Sequence, residues 1–279
     1  MTINNQEILR MLEFHKPKRE LSAVIQGHQE KIKYIMEKES LSKPKDLITI
    51  ARDFEELVNL DVNELTLRYL SKKYPDFKFK LQEGDIHAEL KSYKGKTLPE
   101  FPPGLKDLSI WDCENLERVP KLPAGLEELE IISCENLEAL PDFPSSLKSL
   151  TIEFCHNLEL LHKFPLGLER LAIFHCRKLE AIPKFPPGFE RLAIFHCDKI
   201  ESLPEIPSSL KVLSILICRN LEAIPEFRPG LESLTITGSD KIETLPDFPS
   251  SLKDLEITKC PNLNQKTLDR IEEFNKKQS

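Results

Sequence analysis

Leu140-Pro-Asp-Phe-Pro-Ser-Ser-Leu-Lys-Ser-Leu-Thr-Ile-Glu-Phe-Cys-His-Asn-Leu-Glu-Leu160 is one complete unit of a longer pattern, and the next unit starts at Leu161. Its apolar residues hold fixed places, giving L-P-x-F-P-x-x-L-x-x-L-x-I-x-x-C-x-x-L-E-x. Moving outward, the leading residue recurs every 21 positions as Leu105, Leu126, Leu147, Leu168, Phe189, Leu210, Leu231 and Leu252. Cysteine keeps the same step at Cys113, Cys134, Cys155, Cys176, Cys197 and Cys218, gives way to Ser239, and returns at Cys260. A fixed period of this size makes each unit one turn of a solenoid, which buries its apolar face only by stacking on its neighbours. Eight such copies fill residues 98–265.

Within a unit the alternation at Leu150 and Ile152 predicts a strand with those two side chains inward and Ser149, Thr151 and Glu153 outward. The cysteine follows where the chain turns into the interior. Paired prolines such as Pro141 and Pro144 cannot donate to a ladder, so the return leg is expected to be extended or irregular and not an α-helix. A small residue before the leading position (Gly125, Ser146, Gly167, Gly188, Ser209) is expected to permit the turn back into the strand. All seven cysteines occupy one repeat position, and the first residues, Met1-Thr-Ile-Asn-Asn-Gln, lack the basic-then-apolar pattern expected of a signal peptide. The cysteine series reads as a reduced, buried thiol ladder in a cytosolic protein and not as a disulfide framework.

The motif L-x-x-L-x-I-x-x-C-x-x-L resembles the leucine-rich repeat, with Cys in place of the commoner Asn. The appended L-P-x-F-P-x-x-L is similar to the short repeats of secreted bacterial effectors of the YopM and IpaH type. The C-x-N-L-E variant also looks like repeats of plant immune receptors, though no nucleotide-binding segment accompanies it here. The effector resemblance implies an α/β leucine-rich-repeat solenoid with a parallel, concave β-sheet of about eight 21-residue repeats. It further implies secretion into a host cytosol and a non-catalytic, protein-binding role in virulence. Departures from the pattern are His162 and Arg228 at proline positions and Ser239 at the cysteine position, and they predict irregularity near the fourth and seventh turns.

Residues 1–97 are expected to form a helical cap, because a solenoid must cover its exposed end. Ile8, Leu9 and Leu12 make one apolar stripe; Leu21, Val24, Ile25, Ile32 and Ile35 another; Leu47, Ile48, Ala51, Phe54, Leu57 and Val58 a third. Asp61 is a candidate cap for a fourth helix carrying Leu65, Leu67 and Leu70, stopped by Pro75. This segment is longer than capping demands, so an added binding role stays open. The alternation Phe77, Phe79, Leu81 predicts a strand. At the other end, residues 266–279 are expected to form a capping helix that packs through Leu268, Ile271 and Phe274.

Across the 279 residues the formal net charge is −7, which argues against a nucleic-acid partner. No apolar run reaches the ~18 residues of a membrane span. Outward-facing positions align in columns, and the middle turns differ from the ends. Phe154, Phe174, Phe195, Leu216 and Ile217 gather there with Arg170, Arg191, His175 and His196, while Trp111 and Ile132 are the bulky residues of the first turns. Aromatic residues and Arg are enriched at interfaces and their hot spots, so these eleven residues are the candidate partner-binding set. The competing expectation is that the rings merely pack on one another across strands. A further column, Glu117, Glu138, Glu159, Glu180, Glu201, Glu222 and Glu243, reads as a solvated ladder partly offset by Lys178, Lys199 and Lys241, or else as an acidic strip for a basic partner.

Ala172-Ile-Phe-His-Cys176 and Ala193-Ile-Phe-His-Cys197 place His beside Cys, but neighbours on a strand diverge, so no nucleophilic pair is expected. His175 and His196 supply two metal ligands where three or four are needed, so neither metal nor cofactor is expected. The leading expectation is therefore a protein-binding module, with no enzymatic activity, that grips and inhibits a host protein or another effector across its inner face. The alternatives are the recognition part of a ubiquitin-ligase-type effector, which needs a catalytic domain beyond Gln265, and an enzyme housed in the N-terminal segment. That segment has no Cys and no recognisable catalytic spacing among His15, His28 and His87.

Overall fold

The computed structural model describes residues 67, 70–82, 85–101 and 104–278. The apolar stripes between Ile8 and Val58, the candidate cap Asp61 and the position Leu65 lie outside them. The chain divides into two compact units, Met1–Pro75 with Phe79–Gly84 and Asp76–Lys78 with Asp85–Ser279. In the smaller unit, helical backbone through Lys73 stops before Pro75, with the Tyr74 N–H donated to Leu70 O at 2.8 Å. Strand β1 (Phe77–Gln82), whose first two residues are assigned to the larger unit, follows as the alternation predicts.

The larger unit is a solenoid of parallel strands. These are β2 (Asp85–Lys91), β3 (Leu105–Trp111), β4 (Glu128–Ile132), β5 (Ser149–Glu153) and β6 (Arg170–Phe174). They continue as β7 (Arg191–Phe195), β8 (Val212–Leu216), β9 (Ser233–Thr237) and β10 (Asp254–Thr258), and helix α1 (Gln265–Gln278) ends the unit. From β2 to β10 the strands lie in chain order. From β3 onward every pair keeps one register, for example Arg170↔Arg191 and Phe174↔Phe195. This is a leucine-rich-repeat solenoid. Strand β2 escapes a search at the repeat period because its step to β3 is shorter, pairing His87 with Asp107 across a register shift.

Two hydrogen-bonded bends close the typical turn. One joins the thiol position to the next apolar position, as in Leu158 N–H to Cys155 O at 3.2 Å. The other uses the return-leg proline carbonyl, as in Leu147 N–H to Pro144 O at 3.1 Å. A carbonyl suffices for the second bend, so Arg228 in the proline place still accepts from Leu231 N–H at 3.3 Å. His162 likewise leaves the following bend, Leu168 N–H to Pro165 O at 3.1 Å, unchanged. No irregularity appears in these two bends, although Gly230, two residues after Arg228, departs from its equivalents with φ 147°. At Ser239 the expected irregularity is present, since no hydrogen bond among the described residues closes the bend there.

The small residue before each leading position has a different role from the one expected. Gly125, Gly167 and Gly188 keep ordinary φ, and positive-φ glycines are Gly104, Gly230 and Gly238. Space against the preceding turn is short at Gly167, where a Cβ would stand 3.3 Å from Ser145 O, and at Gly230; at Gly125 and Gly188 there is room for a side chain. A Cβ at Gly230 would run into Ser208 O, and where serine takes the place it donates inward, Ser146 Oγ to Leu126 O at 2.6 Å and Ser209 Oγ to Phe189 O at 2.7 Å.

The core is a ladder of leading residues, strand Leu/Ile pairs and thiols, nearly all fully buried. All seven cysteines are free, and burial raises most of their thiols, Cys176 to about 12 and Cys218 to about 11, while a hydrogen bond with Cys134 lowers that of Cys113. Each donates weakly to backbone carbonyls, for instance Cys197 Sγ to Phe195 O at 3.4 Å and to Ile173 O at 3.7 Å. Ser239 interrupts this ladder: it is fully buried, and its Oγ has no partner among the described residues. An unsatisfied buried hydroxyl costs about 1–3 kcal/mol. Ser239→Cys restores the repeat atom and is expected to raise the urea midpoint with an unchanged slope; a lowered midpoint would remove thiol packing from the account of stability.

Beyond β10, Asn264 caps α1, accepting the Thr267 N–H at its Oδ1 at 2.9 Å. The helix closes the solenoid through buried Thr267, through Phe274 against Phe248 (ring centroids 6.2 Å apart), and through Arg270, which sits 5.5 Å over the Phe248 ring and pairs with Asp247. Leu268, expected at this contact, is instead 43% exposed. The hydrophilic edge of the last turn explains the difference: Asp247 and Leu245 O recruit Arg270, which turns the helix onto its Thr267–Arg270–Phe274 side.

Candidate functional site

The open face of the sheet carries the candidate residues in three columns. Arg170 and Arg191 open β6 and β7 and are exposed; Phe174, Phe195, Leu216, Trp111 and Ile132 close their strands and are half-buried. Phe154, His175, His196 and Ile217 occupy the position after the strand, also half-buried. Parallel register stacks equivalent residues about 4.8 Å apart, so the aromatic cluster of β5 to β7 is continuous.

That last column has a conformation that strand alternation does not foresee. Asp112, Ser133, Phe154, His175, His196, Ile217 and Lys259 all have φ between 52° and 56°, and Gly238 has φ 66°. The left-handed region costs a residue bearing Cβ about 1–2 kcal/mol. The solenoid compensates at each turn with an inter-strand hydrogen bond from that residue, such as His175 N–H to Phe195 O and His196 N–H to Leu216 O, both 2.8 Å. The twist also resets the side-chain alternation. Without it His175 would point inward with Leu171 and Ile173, and Cys176 outward. With it Cys176 is buried and His175 joins the open face. His175 and Cys176 do separate, but through this backbone reversal and not through simple alternation. The signal in the sequence was a single glycine, Gly238, in a column otherwise free of it.

The rings form one connected group. His175 lies flat on Phe154 (centroids 4.5 Å apart, planes 10° apart) and meets the edge of Phe195 at 4.7 Å. His196 lies 5.0 Å from His175, and Phe174 meets Phe195 edge-on at 6.4 Å. The rings pack on one another across strands, as the competing expectation had it, and keep part of their area at the surface. His156 Nδ1 reaches His175 O at 2.7 Å, and His196 Nε2 stands 3.6 Å from Asp198 Oδ2.

Burial, then the neighbouring His196, lowers the His175 pKa from its ordinary value; Arg177 and His156 act the same way, and Glu153 opposes them. A lowered folded-state value means that the unfolded chain takes up a proton first as pH falls. Stability conferred by neutral His175 is therefore complete above the unfolded histidine value of about 6.5 and declines as pH drops below it. Urea midpoints between pH 7.5 and pH 5 are expected to fall more for the wild type than for His175→Phe; parallel curves would show that the imidazole is not held neutral by its surroundings.

Charge on this face is uneven. Arg170 Nη2 is 3.0 Å from Glu128 Oε1, reaching over Ser149 on β5. Arg191 has no ion-pair partner among the described residues. One position earlier runs a ladder that the sequence pattern did not reveal: Glu127 lies between Lys106 and Lys148, Glu190 pairs with Lys211 at 2.7 Å, and Glu232 with Lys253 at 2.7 Å. The two lysine hydrogen bonds hold the Glu127 carboxyl down to about 2. In the glutamate column after the thiols, Lys96 meets Glu117 at 2.7 Å and Lys241 meets Glu222 at 3.1 Å. Lys178 and Lys199, expected to help, make no ion pair among the described residues.

No family model matches the sequence, and no curated protein matches it. Among solved structures it is similar to YopM from Yersinia enterocolitica WA-314, at 22% identity and TM-score 0.35, over 61% of this chain and 48% of that one. The chain thus spans about half the length of that YopM. It is similar to the leucine-rich effector YopM of Yersinia pestis, at 21% identity and TM-score 0.40, over 77% of this chain and 72% of that one. A third likeness is to the leucine-rich-repeat domain of the type III effector XCV3220 (XopL), at 17% identity and TM-score 0.31, over 94% and 97% of the two chains.

Proposed function

We propose that this chain is a protein-interaction module, with no catalytic role of its own, that grips another protein across the open sheet face around Phe174 and Phe195. The observation that carries the reading is the half-buried ring cluster of β5 to β7, flanked by exposed Arg170 and Arg191 on a rigid, single-register sheet. Exposed aromatics within a polar surround suit a partner's apolar side chains. The eleven candidate residues, from Trp111 and Ile132 through Phe154, Arg170, Phe174, His175, Arg191, Phe195, His196 and Leu216 to Ile217, are its proposed contact set.

Chemistry at the Phe-His-Cys repeats is poorly supported, because a thiol raised to about 12, as in Cys176, is not a nucleophile at neutral pH. Among the described residues no three His, Cys, Asp or Glu side chains gather as a metal site requires, and no helix is long and apolar enough to cross a membrane. The sequence resemblance to YopM-type and IpaH-type repeats supports a secreted effector that acts in a host cytosol. Occlusion of a partner enzyme's cleft by this face fits the same geometry. Quantitative capture from host and bacterial lysates by wild type and by Phe174→Ala with Phe195→Ala tests the reading, and equal capture by both forms would move the site off this face.

A further inference from the structure

The open face carries a record of the chemistry it accepts, in the unequal treatment of two arginines. Arg170 and Arg191 are register partners on adjacent strands, and their like charges oppose each other. Arg170 is satisfied by a carboxylate from its own chain, Glu128, which crosses one intervening strand to reach it at 3.0 Å. Both side chains of that pair are half exposed, at 49% and 50%. Arg191 lies between Arg170 and Val212 in the register and has no such carboxylate among the described residues. The nearest acids in sequence, Glu169 and Glu190, belong to the flanking ladder, where Glu190 is held by Lys211 at 2.7 Å. Arg177, also exposed, adds a third cation in the same two turns. The end turns of the face carry Asp107, Glu128 and Glu130 on one side and Asp254 and Glu256 on the other. Beside the rings themselves stand Glu153, in register with Phe174, and Asp198, 3.6 Å from His196, so among the described residues the cation without a carboxylate on this face is Arg191 specifically.

We infer that the partner presents an acidic segment to this face, with one Asp or Glu carboxylate received by Arg191 and an apolar side chain laid against Phe174 and Phe195. This rests on the proposed binding role of the face and specifies the chemistry of its occupant. The guanidinium and ring columns lie four residues apart, roughly 13 Å along the strand, so the partner's carboxylate and apolar group are separated by a similar distance. Ala172 and Ala193 stand between them and leave that span unobstructed. Glu128 acts as an internal competitor: it occupies Arg170 as an incoming carboxylate would, and yields it when a bidentate partner bridges both arginines.

A 12-residue random peptide library displayed on phage, selected against the full chain, tests this whatever the partner's identity. Selected peptides are expected to combine Asp or Glu with Leu or an aromatic residue, and to bind more weakly as salt rises. In fluorescence titrations of those synthetic peptides, Arg191→Glu is expected to weaken binding roughly thirtyfold or more. Glu128→Gln is expected to tighten it by roughly two- to fivefold, the scale of an exposed ion pair removed. Both substitutions lie at the surface, and unchanged far-ultraviolet dichroism and melting confirm the fold. Enrichment of basic peptides, recovery of none, or indifference to Arg191→Glu would overturn the inference. Peptides that ignore Arg191→Glu but are lost with Phe174→Ala and Phe195→Ala would leave the binding face standing and remove only its acidic preference. Peptides that ignore both would remove the face as well.

Discussion

Phe189→Ala is expected to be the most damaging single substitution in the solenoid, lowering unfolding free energy by about 3–5 kcal/mol. Phe189 is the one ring in the series of leading residues, and it is fully buried. It stacks on Phe185 at 4.6 Å with planes 7° apart, and Phe185 continues to Phe164 at 6.5 Å. The column therefore reaches from the strand side of the core to the return leg across neighbouring turns. Deleting the ring opens a cavity that the rigid repeat register prevents from collapsing, and strips Phe185 of its stacking partner. A domain's net stability is only about 5–15 kcal/mol, so the loss is a large share of the whole. In a solenoid the loss has a second consequence, because each turn is coupled only to its neighbours. The variant is expected to melt lower by roughly 6–20 °C, and its denaturant transition to broaden as the turns on either side uncouple. Phe189→Leu restores the residue of the other turns and is expected to cost far less, since it keeps most of the volume. A loss below about 1 kcal/mol in Phe189→Ala would mean that the ring lies outside the cooperative core.

The repeat was legible because one physical requirement, an apolar residue facing the stack, recurs with a fixed step. Strands β3 to β10, the inward Leu/Ile pairs and the thiol ladder follow from it directly. What it hides is whatever departs from periodicity or from simple alternation. Strand β2 has the right pattern at Ile86, Ala88 and Leu90, but its pairing step differs, so a fixed-period search passes over it. The left-handed residue after each strand left only a weak trace, since Phe, His and even Ile occupy it where glycine would be cheapest. It nevertheless decides the site: it brings His175 and Phe154 outward to stack, and turns Cys176 inward. Ion pairs were the least legible feature. Which lysine meets which glutamate depends on side-chain reach across turns, so Lys241 finds Glu222 while Lys178 and Lys199 find no carboxylate among the described residues. The C-terminal helix showed its apolar residues correctly but not its rotation, which Arg270 and Asp247 set.

Replacing Phe174 and Phe195 together by alanine is expected to weaken partner binding by about a thousandfold, since each hot-spot ring contributes about 2 kcal/mol or more and each 1.4 kcal/mol is a factor of ten. The two rings are not independent, because they meet edge-on at 6.4 Å and Phe195 also receives His175 at 4.7 Å. If the rings acted independently each single substitution would cost half of the joint free energy, and a departure from that half measures their coupling. Those same contacts set the stability cost. Rings wholly in solvent would leave melting unchanged, but an aromatic pair contributes about 0.5–1.5 kcal/mol beyond its buried area. The double variant is accordingly expected to melt several degrees lower while remaining folded, so binding must be compared well below that temperature. Phe174→Leu with Phe195→Leu separates the two roles: it keeps apolar bulk on the face, loses the ring edges, and is expected to bind with intermediate strength. If the alanine pair binds as tightly as wild type, the partner does not touch β6 and β7. If it loses binding only in proportion to its unfolded fraction, the rings serve the solenoid and the site lies on another part of the chain.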